Sequence, residues 1–450
     1  MVAVVTAFAL RFAVASSVDL SSDPDPDVAA FLALLEDSPS EMRTALKHIE
    51  THWHPGFTAM ALEIIYFAEQ ASVADRLLEI MQRHTDQAFR YDLDAWYQWL
   101  WSQPETSHPY YAQFKSLLYR RIDPVFARYF ADKYPRTIRL DEIRWGGVKQ
   151  DGIPPLRQPA MISAPEATYL ADSNVVFGLE INGDARAYPK RILAWHEMFV
   201  DTVGEVPVAG VYCTLCGTVI AYETTQNSAH YALGTSGFLY RSNKLMYDQA
   251  TQSLWSTLGG SPVVGPLVGK KIELSSRSVV TTTWGAWRKR HPDTRVLSLN
   301  TGHRRDYAEG AAYQQYFVTD DLMFTTPQQD KRLKNKAEVL ALRLPQAADK
   351  PLAISSDFLR DHPIYHHTHA GVSLVVLTDR SGAHRAYEAG GVRFKQWDNA
   401  ATVTDEQGQR WQLTEDQLVG ERGETLVRLP SHNSFWFGWY AAYPQTELIR

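Results

Sequence analysis

Two cysteines, spaced as Cys213-x-x-Cys216 and followed by Gly217, are the residues whose types and spacing most directly indicate chemistry, and the chain has no others. They lie between two apparent strands, where a glycine tolerates positive φ and backbone N–H groups can point at thiolates, as in a metal knuckle. A C-x-x-C can also be a redox dithiol, although that use favours a helix N-terminus. A structural disulfide is the weaker interpretation, because closing so short a loop contributes only about 2 kcal/mol.

A knuckle supplies two ligands, so a tetrahedral metal site needs histidine, carboxylate or water as well. We predict His196 and His303 as the further ligands, with Glu197 behind them. Thiolate with imidazole suits zinc or copper(I), and an open fourth position would permit Lewis-acid or redox chemistry. A hydrogen-bonded core histidine is the competing interpretation of His196, and Glu197 could instead orient its imidazole.

Further polar and aromatic residues follow the cysteine strands or surround His303, and could line a pocket with the cysteines. These candidates are Glu197, Tyr240, Arg241, Asn243, Tyr247, Asp248, Arg304, Arg305 and Asp306. Ordinary cross-strand pairs and a surface salt-bridge cluster are the alternatives. The tract of residues 366–369 (HHTH) has the composition of a metal-binding segment, but a polar turn is the favoured interpretation.

The elements that must position these residues change type along the chain. Residues 27–135 carry apolar residues at helical spacing, and residues 38–41 (SPSE) form a capping-box pattern, so a helical domain is predicted. From about residue 172 strands take over, and Asn182-Gly183 between two apolar runs predicts a hairpin with a type I′ turn. The predicted fold class is therefore α+β: a helical N-terminal domain followed by a mainly β domain with short helices.

The β-rich domain, residues 136–450, carries an internal duplication. Three patterns recur in the same order in both halves. Residues 209–223 align without gaps to 374–388, and Asp248…Trp255 echoes Asp405…Trp411. The motif Trp284-x-x-Trp287-x4-Pro292-x-Thr294 matches Trp436-x-x-Trp439-x4-Pro444-x-Thr446. We predict copy one at about 172–298, a loop-rich connector at 299–335 and copy two at about 336–450. Thr378 and Ser381 align with the two cysteines, so the scaffold does not demand them, which favours a site grafted onto one copy.

Composition excludes some function classes. The chain has 45 Lys and Arg against 51 Asp and Glu, a formal net charge of −6, and only short basic runs such as Arg304-Arg305. No nucleic-acid partner is therefore expected. No apolar stretch of about 18 residues follows the N-terminus, so no internal transmembrane span is predicted. Residues 1–26 are a candidate signal or disordered leader: residues 2–10 are apolar, but no Lys or Arg precedes them.

Seven ordered motifs add a family resemblance. They are residues 139–143 (RLDEI) with 145–147 (WGG), 180–189 (EINGDARAYP), 195–197 (WHE), 212–217 (YCTLCG), 236–243 (SGFLYRSN), 246–248 (MYD) and 301–307 (TGHRRDY). From about residue 139 to the C-terminus the chain resembles the uncharacterised bacterial and archaeal domain-of-unknown-function family 3179. The resemblance implies a fold and a site but transfers no reaction. Members often look exported, which implies a periplasmic or extracytoplasmic location, with the cytoplasm as the alternative; a Pro is usual where Thr214 stands.

Three functions remain open. The first is a protein that binds zinc or copper through the C-x-x-C-G knuckle and histidine, which requires converging third and fourth ligands. The second is a thiol–disulfide oxidoreductase without a metal cofactor, which requires an exposed, electropositive first cysteine and no converging ligands. The third is a non-catalytic binding or scaffold module for a small molecule or protein, with inert thiols and an exposed apolar patch on the helical part.

Overall fold

A helical region opens the part of the chain that the computed structural model describes, which is residues 23–131 and 133–450. The candidate signal segment at residues 2–10 lies outside these residues. The N-terminal helices are α1 (Pro26–Ala33), α2 (Pro39–Thr51), α3 (Phe57–Phe67), α4 (Ala71–Thr85), α5 (Leu93–Ser102) and α6 (Tyr111–Tyr119). A mainly β region with short helices follows, so the predicted α+β class is confirmed. None of the described helices is long and apolar enough to cross a membrane.

The helices bury one face each, and their core continues into the β region. Helix α2 begins at the predicted cap, where Ser38 Oγ accepts a hydrogen bond from the Glu41 N–H and Pro39 stands in the first turn. Phe31 of α1 and Phe57 of α3 pack edge to face, with ring centroids 5.1 Å apart. The same apolar cluster includes Phe238 and Leu245 of the β region. The helical region therefore shares a core with the sheet beneath it.

The strands up to residue 300 form three main sheets. The strands are β1 (Ile143–Trp145), β2 (Leu156–Arg157), β3 (Met161–Ser163), β4 (Val175–Ile181), β5 (Asp184–Pro189), β6 (Met198–Val203), β7 (Val206–Cys213), β8 (Thr218–Glu223), β9 (Thr225–Gln226), β10 (Ala229–His230), β11 (Leu233–Tyr240), β12 (Asn243–Asp248), β13 (Leu254–Ser256), β14 (Pro262–Val264), β15 (Ser276–Arg277), β16 (Val280–Thr283) and β17 (Arg295–Leu297). Their orders are β16-β4-β5-β17-β3, β15-β8-β7-β6-β2 and β1-β11-β12-β13-β14. Two short helices, α7 (Lys190–His196) and α8 (Trp284–Arg290), follow β5 and β16.

The remaining elements begin with a short helix in the connector, α9 (Gln314–Phe317). The strands are β18 (Glu338–Leu342), β19 (Leu352–Ser355), β20 (Ile364–His369), β21 (Val372–Thr378), β22 (His384–Glu388), β23 (Phe394–Trp397), β24 (Thr402–Asp405), β25 (Arg410–Leu413), β26 (Gln417–Gly420), β27 (Thr425–Val427), β28 (Ser431–Phe435) and β29 (Glu447–Ile449). Helices α10 (Ser356–Asp361) and α11 (Trp436–Ala442) follow β19 and β28. The tract 366–369, interpreted from sequence as a polar turn, instead lies in strand β20, where it pairs with β21.

The two halves of the β region repeat the same topology. In the second half the sheets have the orders β28-β18-β19-β29, β20-β21-β22 and β23-β24-β25-β26-β27. Strand β17 runs parallel to β5, and β29 runs parallel to β19 in the same way. The matched tryptophans make matched hydrogen bonds: Trp287 Nε1 and Trp439 Nε1 each donate to a threonine Oγ1 at 2.9 Å. Copy one and copy two below denote residues 172–298 and 336–450.

The hairpin registers differ between the copies by one residue. Cys213 pairs with Thr218 at the end of β7–β8, whereas Thr378 pairs with His384 at the end of β21–β22. The turns are therefore residues 214–217 and 379–383. With Ala221 and Ala386 taken as equivalent, the structural counterpart of Cys213 is Asp379, not Thr378 as the ungapped alignment gives. Asp379 Oδ1 accepts hydrogen bonds from the N–H groups of Ser381 and Ala383, which stabilises the longer turn.

Candidate functional site

The two cysteines form a disulfide at the tip of the β7–β8 hairpin. Cys213 is the last residue of β7, and Cys216 lies in the turn before β8. Gly217 completes the turn at φ 61°, a conformation that favours glycine. Cys213 and Cys216 are only 2% and 1% exposed, so the disulfide is buried.

Residues of copy two pack closely against this turn. The Cys216 carbonyl accepts a hydrogen bond from the Phe435 N–H at 2.8 Å. A Cβ on Gly217 would lie 2.8 Å from the Phe435 ring, and a Cβ on Gly438 would lie 2.6 Å from Cys216 Cβ. Real Cβ atoms do not approach so closely, so the packing of α11 and β28 on the disulfide depends on glycine at both positions.

A buried ion pair lies on the cavity side of the disulfide. Glu197 follows α7 in the left-handed conformation at φ 55°, and its carboxylate accepts a hydrogen bond from Lys244 Nζ of β12 at 2.6 Å. Thr214 Oγ1 donates to the same carboxylate at 2.7 Å, and Tyr313 OH donates at 3.2 Å. Both charged side chains are less than 10% exposed, with values of 6% for Lys244 and 9% for Glu197. These donors satisfy a carboxylate that burial would otherwise penalise.

A cavity of about 70 Å³ joins the ion pair to the disulfide. Its lining includes Cys213, Glu197, Lys244, Tyr313 and Phe324. Cys216 is not among the lining residues, so only the first cysteine faces the cavity. The cavity therefore brings together one cysteine of the disulfide, a cationic ammonium group, a carboxylate and a phenol.

The connector covers this cavity. Tyr316 of α9 donates a hydrogen bond from its OH to the Leu215 carbonyl at 2.7 Å, and the Phe324 carbonyl accepts one from Ser242 Oγ at 2.9 Å. Burial raises the pKa of Tyr313 and of Tyr316 above the usual tyrosine range, with the Glu197 carboxylate adding to the effect at Tyr313. Both phenols therefore stay protonated and act as donors at neutral pH. Met323 in the same segment is 55% exposed.

His196 and His303 lie together, but in a different environment from the cysteines. Their ring centroids are 5.1 Å apart. His196 Nδ1 lies 2.9 Å from the Pro154 carbonyl and Nε2 lies 2.6 Å from Tyr307 OH. A carbonyl only accepts, so Nδ1 carries the hydrogen and Nε2 accepts from the tyrosine. Burial, with the positive charge of Arg305, lowers the pKa of His196 to about 4, so the ring is neutral at pH 7.

The four predicted metal ligands do not converge in this oxidised state. Among the described residues, the groups of three His, Cys, Asp or Glu side chains whose ligand atoms lie within 4.8 Å of one another are His367–His369–Glu447 and Asp25–Asp27–His108. Neither contains Cys213 or Cys216. The cysteine sulfurs are bonded to each other, and the free nitrogen of His196 is occupied by Tyr307.

The other predicted pocket residues divide between the site and the scaffold. Glu197 lines the cavity, and Asn243 Nδ2 donates to the Gly438 carbonyl at 2.9 Å, beside Cys216. The rest serve other contacts. Arg241 forms an ion pair with Glu142 beside Tyr240, Tyr247 OH donates to Asp151, Asp248 accepts from Trp255 Nε1, and the exposed His303, Arg304, Arg305 and Asp306 form a surface loop.

Sequence reasoning missed Lys244, Tyr313 and the direct role of Thr214. Lys244 stands inside a strand whose other residues are all buried, and a lysine in such a strand signals a buried partner. Tyr313 offered no comparable signal, because it lies in a connector far from the strands it covers. Thr214 lies inside the C-x-x-C motif, and the hydrogen bond from its hydroxyl to Glu197 was not foreseen.

A larger cavity, of about 480 Å³, lies between the two copies on the far side of β8. Its lining includes Tyr222, Arg277, Arg343, Ser431 and His432. Its charged groups are already matched, since Arg277 pairs with Glu223 and Arg343 with Glu273. Burial lowers the pKa of His432 to about 4. The disulfide cavity is smaller, but of these two cavities in the described part of the chain it is the one that combines a redox-capable group with a buried ion pair.

The topology and the disulfide site together define an α+β protein with a repeated β unit and one modified hairpin turn. A family model described as "Protein of unknown function (DUF3179)" matches residues 150–446. The chain belongs to this family, and the predicted resemblance is confirmed. Searches of curated proteins and of solved structures find no match.

Proposed function

We propose that the chain is a thiol–disulfide redox protein whose reactive group is the Cys213–Cys216 disulfide. The observation that carries the proposal is the cavity in which Cys213 meets the buried Lys244–Glu197 ion pair. A purely structural role explains this arrangement less well, because a loop this short gains little from closure. It also gives no reason to bury a lysine and a glutamate beside the bond.

The reaction we propose is oxidation of a dithiol substrate. A substrate thiolate attacks the Cys213 sulfur, the S–S bond breaks, and Cys216 leaves as a thiolate. The second substrate thiolate then attacks the substrate sulfur of the mixed disulfide and releases Cys213. The substrate loses two electrons and two protons and gains a disulfide, while the two cysteines gain the electrons and take up the protons as thiols.

Lys244 and Glu197 have distinct parts in this proposal. A cationic group near a sulfur stabilises the thiolate that forms when a disulfide opens. Lys244 lines the cavity beside Cys213, so its charge would stabilise the Cys213 thiolate that is released in the second step. Glu197 fixes the ammonium through the 2.6 Å contact and is itself held by Thr214 and Tyr313. The pair would therefore favour reduction of the disulfide.

The exposed first cysteine expected from the sequence for this function is not found, so access to Cys213 requires movement of the connector. Cys213 is 2% exposed, and Tyr313, Tyr316 and Phe324 lie over its cavity. The bond from Tyr316 OH to the Leu215 carbonyl ties this cover directly to the cysteine turn. Substrate entry would break that bond. Tyr316→Phe should therefore speed reduction of the disulfide by a small dithiol.

Metal binding by the reduced pair is the competing proposal. Two free thiolates would present two soft ligands for zinc or copper(I). What this proposal lacks is a third ligand, because the predicted His196 uses both ring nitrogens elsewhere. The disulfide is compatible with an extracytoplasmic compartment, where such bonds persist, and we extend the redox proposal to that location.

The test measures free thiols under native conditions. The purified oxidised protein is mixed with a reduced two-thiol peptide, and protein thiols and peptide disulfide are both quantified. We expect one peptide disulfide and two protein thiols per chain. The Cys213→Ser/Cys216→Ser variant should form neither. Ser381→Ala, in the equivalent turn of copy two, is the matched control and should react like the wild type.

Two results would overturn the proposal. If excess dithiothreitol leaves Cys213–Cys216 oxidised until the protein is unfolded, the disulfide is inert. If the reduced protein instead takes up one more zinc or copper ion than the double serine variant, the metal proposal replaces the redox one. Lys244→Met combined with Glu197→Gln then asks whether the pair matters, since redox chemistry predicts slower reduction without loss of fold.

A further inference from the structure

A second cluster of chemically capable side chains lies in copy two, at the edge formed by β20 and β29. His367 and His369 alternate along β20, so their side chains point to the same face of the sheet. Glu447 is the first residue of β29. His367 Nε2 lies 3.3 Å from Glu447 Oε1, and His369 Nδ1 lies 2.8 Å from Glu447 Oε2.

Hydrogen bonding leaves two imidazole nitrogens directed at this carboxylate. His369 Nε2 lies 2.6 Å from the Lys350 carbonyl, which can only accept, so Nε2 carries a hydrogen. Nδ1 is therefore the ring nitrogen of His369 that faces the carboxylate, at 2.8 Å. His367 Nε2 is buried and has no hydrogen-bond partner. The ligand atoms of all three groups lie within 4.8 Å of one another, close enough for one cation to contact them together.

We propose that His367, His369 and Glu447 form a binding site for one divalent cation of the zinc class. Two imidazoles and a carboxylate suit zinc and its borderline neighbours, whereas calcium and magnesium prefer oxygen ligands alone. Ligands at about 2.0–2.1 Å from a tetrahedral ion lie roughly 3.3 Å apart, close to the separations here. The contact of His369 with a backbone carbonyl is the outer-shell arrangement that orients metal-binding histidines.

The site has room for an exchangeable ligand. The Glu447 side chain is 46% exposed, whereas His369 is 5% exposed. Three protein ligands with one solvent-facing position is the pattern of zinc sites that bind water or substrate. The ion would also tie β20 to β29, the last strand of the chain, and so stabilise copy two.

Copy one has no equivalent of this cluster. By strand register, Asp201 and Val203 of β6 correspond to His367 and His369, and Arg295 of β17 corresponds to Glu447. Asp201 is already bonded to Arg186 and Tyr188. The site is therefore particular to copy two and independent of the cysteine pair.

Metal titration of the oxidised, chelator-treated protein tests the proposal, because the disulfide removes both thiolates as ligands. Zinc binding is followed by calorimetry and cobalt(II) binding by its visible absorption. We expect one ion per chain, with cobalt bands free of thiolate charge transfer. His369→Ala and Glu447→Gln should each weaken binding by about 100-fold or more. The double cysteine-to-serine variant should bind like the wild type.

His366→Ala is the matched control, because His366 accepts a hydrogen bond from the Phe394 N–H at 3.0 Å and does not belong to the cluster. It should leave zinc affinity unchanged. The half-exposed Glu447 keeps the test valid if His369→Ala misfolds. The proposal is overturned if the oxidised protein binds no ion, or if Glu447→Gln binds as tightly as the wild type. Loss of binding in the cysteine variant alone would assign the metal to the cysteines instead.

Discussion

The β7–β8 turn of copy one and the β21–β22 turn of copy two have the same place in the topology, yet they bury different chemistry. The first carries the disulfide, with Lys244 and Glu197 beside a cavity. The second begins at Asp379, which bonds to Arg385, and Arg385 bonds in turn to Glu415. The buried charges beside the copy-two turn link strands and loops, whereas those beside the copy-one turn line a cavity. One scaffold thus uses buried charge to join elements beside one turn and directs it into a cavity beside the other.

The largest expected effect comes from the charge network of copy two. Glu415 lies 2.9 Å from Arg385 and 3.0 Å from Arg428. Although burial raises it, Arg385, His291 and Arg428 hold the pKa of Glu415 well below its ordinary value of 4.5. Glu415→Gln leaves these buried cations without their anionic partner. It should lower the free energy of unfolding, measured in urea at pH 7, by about 3–5 kcal/mol. In the wild type the same contribution should be lost as pH falls below 4.5, because a depressed carboxyl pKa stabilises only the ionised form.

The control is the pair in copy one. Lys244→Met alone should also destabilise, since it leaves the Glu197 carboxylate without its cation. Lys244→Met with Glu197→Gln should recover most of the loss, because replacing both members of a buried pair is often nearly neutral. If the double variant is as unstable as Glu415→Gln, the pair in copy one is structural and the contrast between the turns fails.

A second difference concerns pH. His384 of copy two stands where copy one has Val219, and burial together with Arg360 and Arg385 lowers the pKa of His384 to about 4. The unfolded chain binds a proton near pH 6.5, so stability should fall as pH drops from 6.5 towards 4, by about 3 kcal/mol for this residue. His384→Gln should flatten that slope in urea unfolding curves. Equal dependence of stability on pH in the wild type and in His384→Gln would contradict the lowered pKa of His384. Comparing the two proteins at pH 8 measures the cost of the substitution itself.

The turn glycines sharpen the comparison of packing. Gly217 and Gly382 both have positive φ, at 61° and 83°. A Cβ on Gly217 meets the Phe435 ring at 2.8 Å, whereas one on Gly382 meets nothing within 4 Å. Both alanine variants should lose about 1–2 kcal/mol for the left-handed backbone. Gly217→Ala should lose a further 1–3 kcal/mol, roughly, from overpacking. Equal shifts of the thermal midpoint would mean that copy two does not press on the cysteine turn.

Local patterns predicted the parts of the fold that local physics decides. The Ser38 cap begins α2, and Asn182-Gly183 joins β4 to β5 with both residues at positive φ, 51° and 82°. The prediction that residues 366–369 form a turn was wrong. Their histidines alternate within strand β20, whose conformation is decided by its pairing with β21. The ungapped alignment also missed the longer turn of copy two, since Asp379 stabilises an extra residue that a gap-free comparison cannot show.

The site depended on contacts that sequence order conceals. Cys213, Cys216 and Glu197 were found from their motif, but Lys244 joins Glu197 across 47 positions and Tyr313 joins it across 116. No periodicity links such residues. His196 looked like a ligand because Trp195 and Glu197 flank it and the C-x-x-C strand follows. Adjacent side chains at the end of a helix diverge, however, and its ring faces Pro154 and Tyr307 instead. Only the folded structure shows that Glu197 lines the disulfide cavity and that His196 does not.

The smallest expected effect is the most informative about the cysteines. Because copy two folds with Asp379 at the equivalent position, Cys213→Ser/Cys216→Ser should fold and lose only about 2 kcal/mol or less, the entropy of closing a very short loop. Equilibrium urea curves of oxidised wild type, reduced wild type and the variant measure this directly. Reduced wild type and the double serine variant should have the same free energy of unfolding. A loss at the upper end of the range for structural disulfides, about 5 kcal/mol, would mean that the bond holds copy one together, and the cavity beside it would then need another explanation.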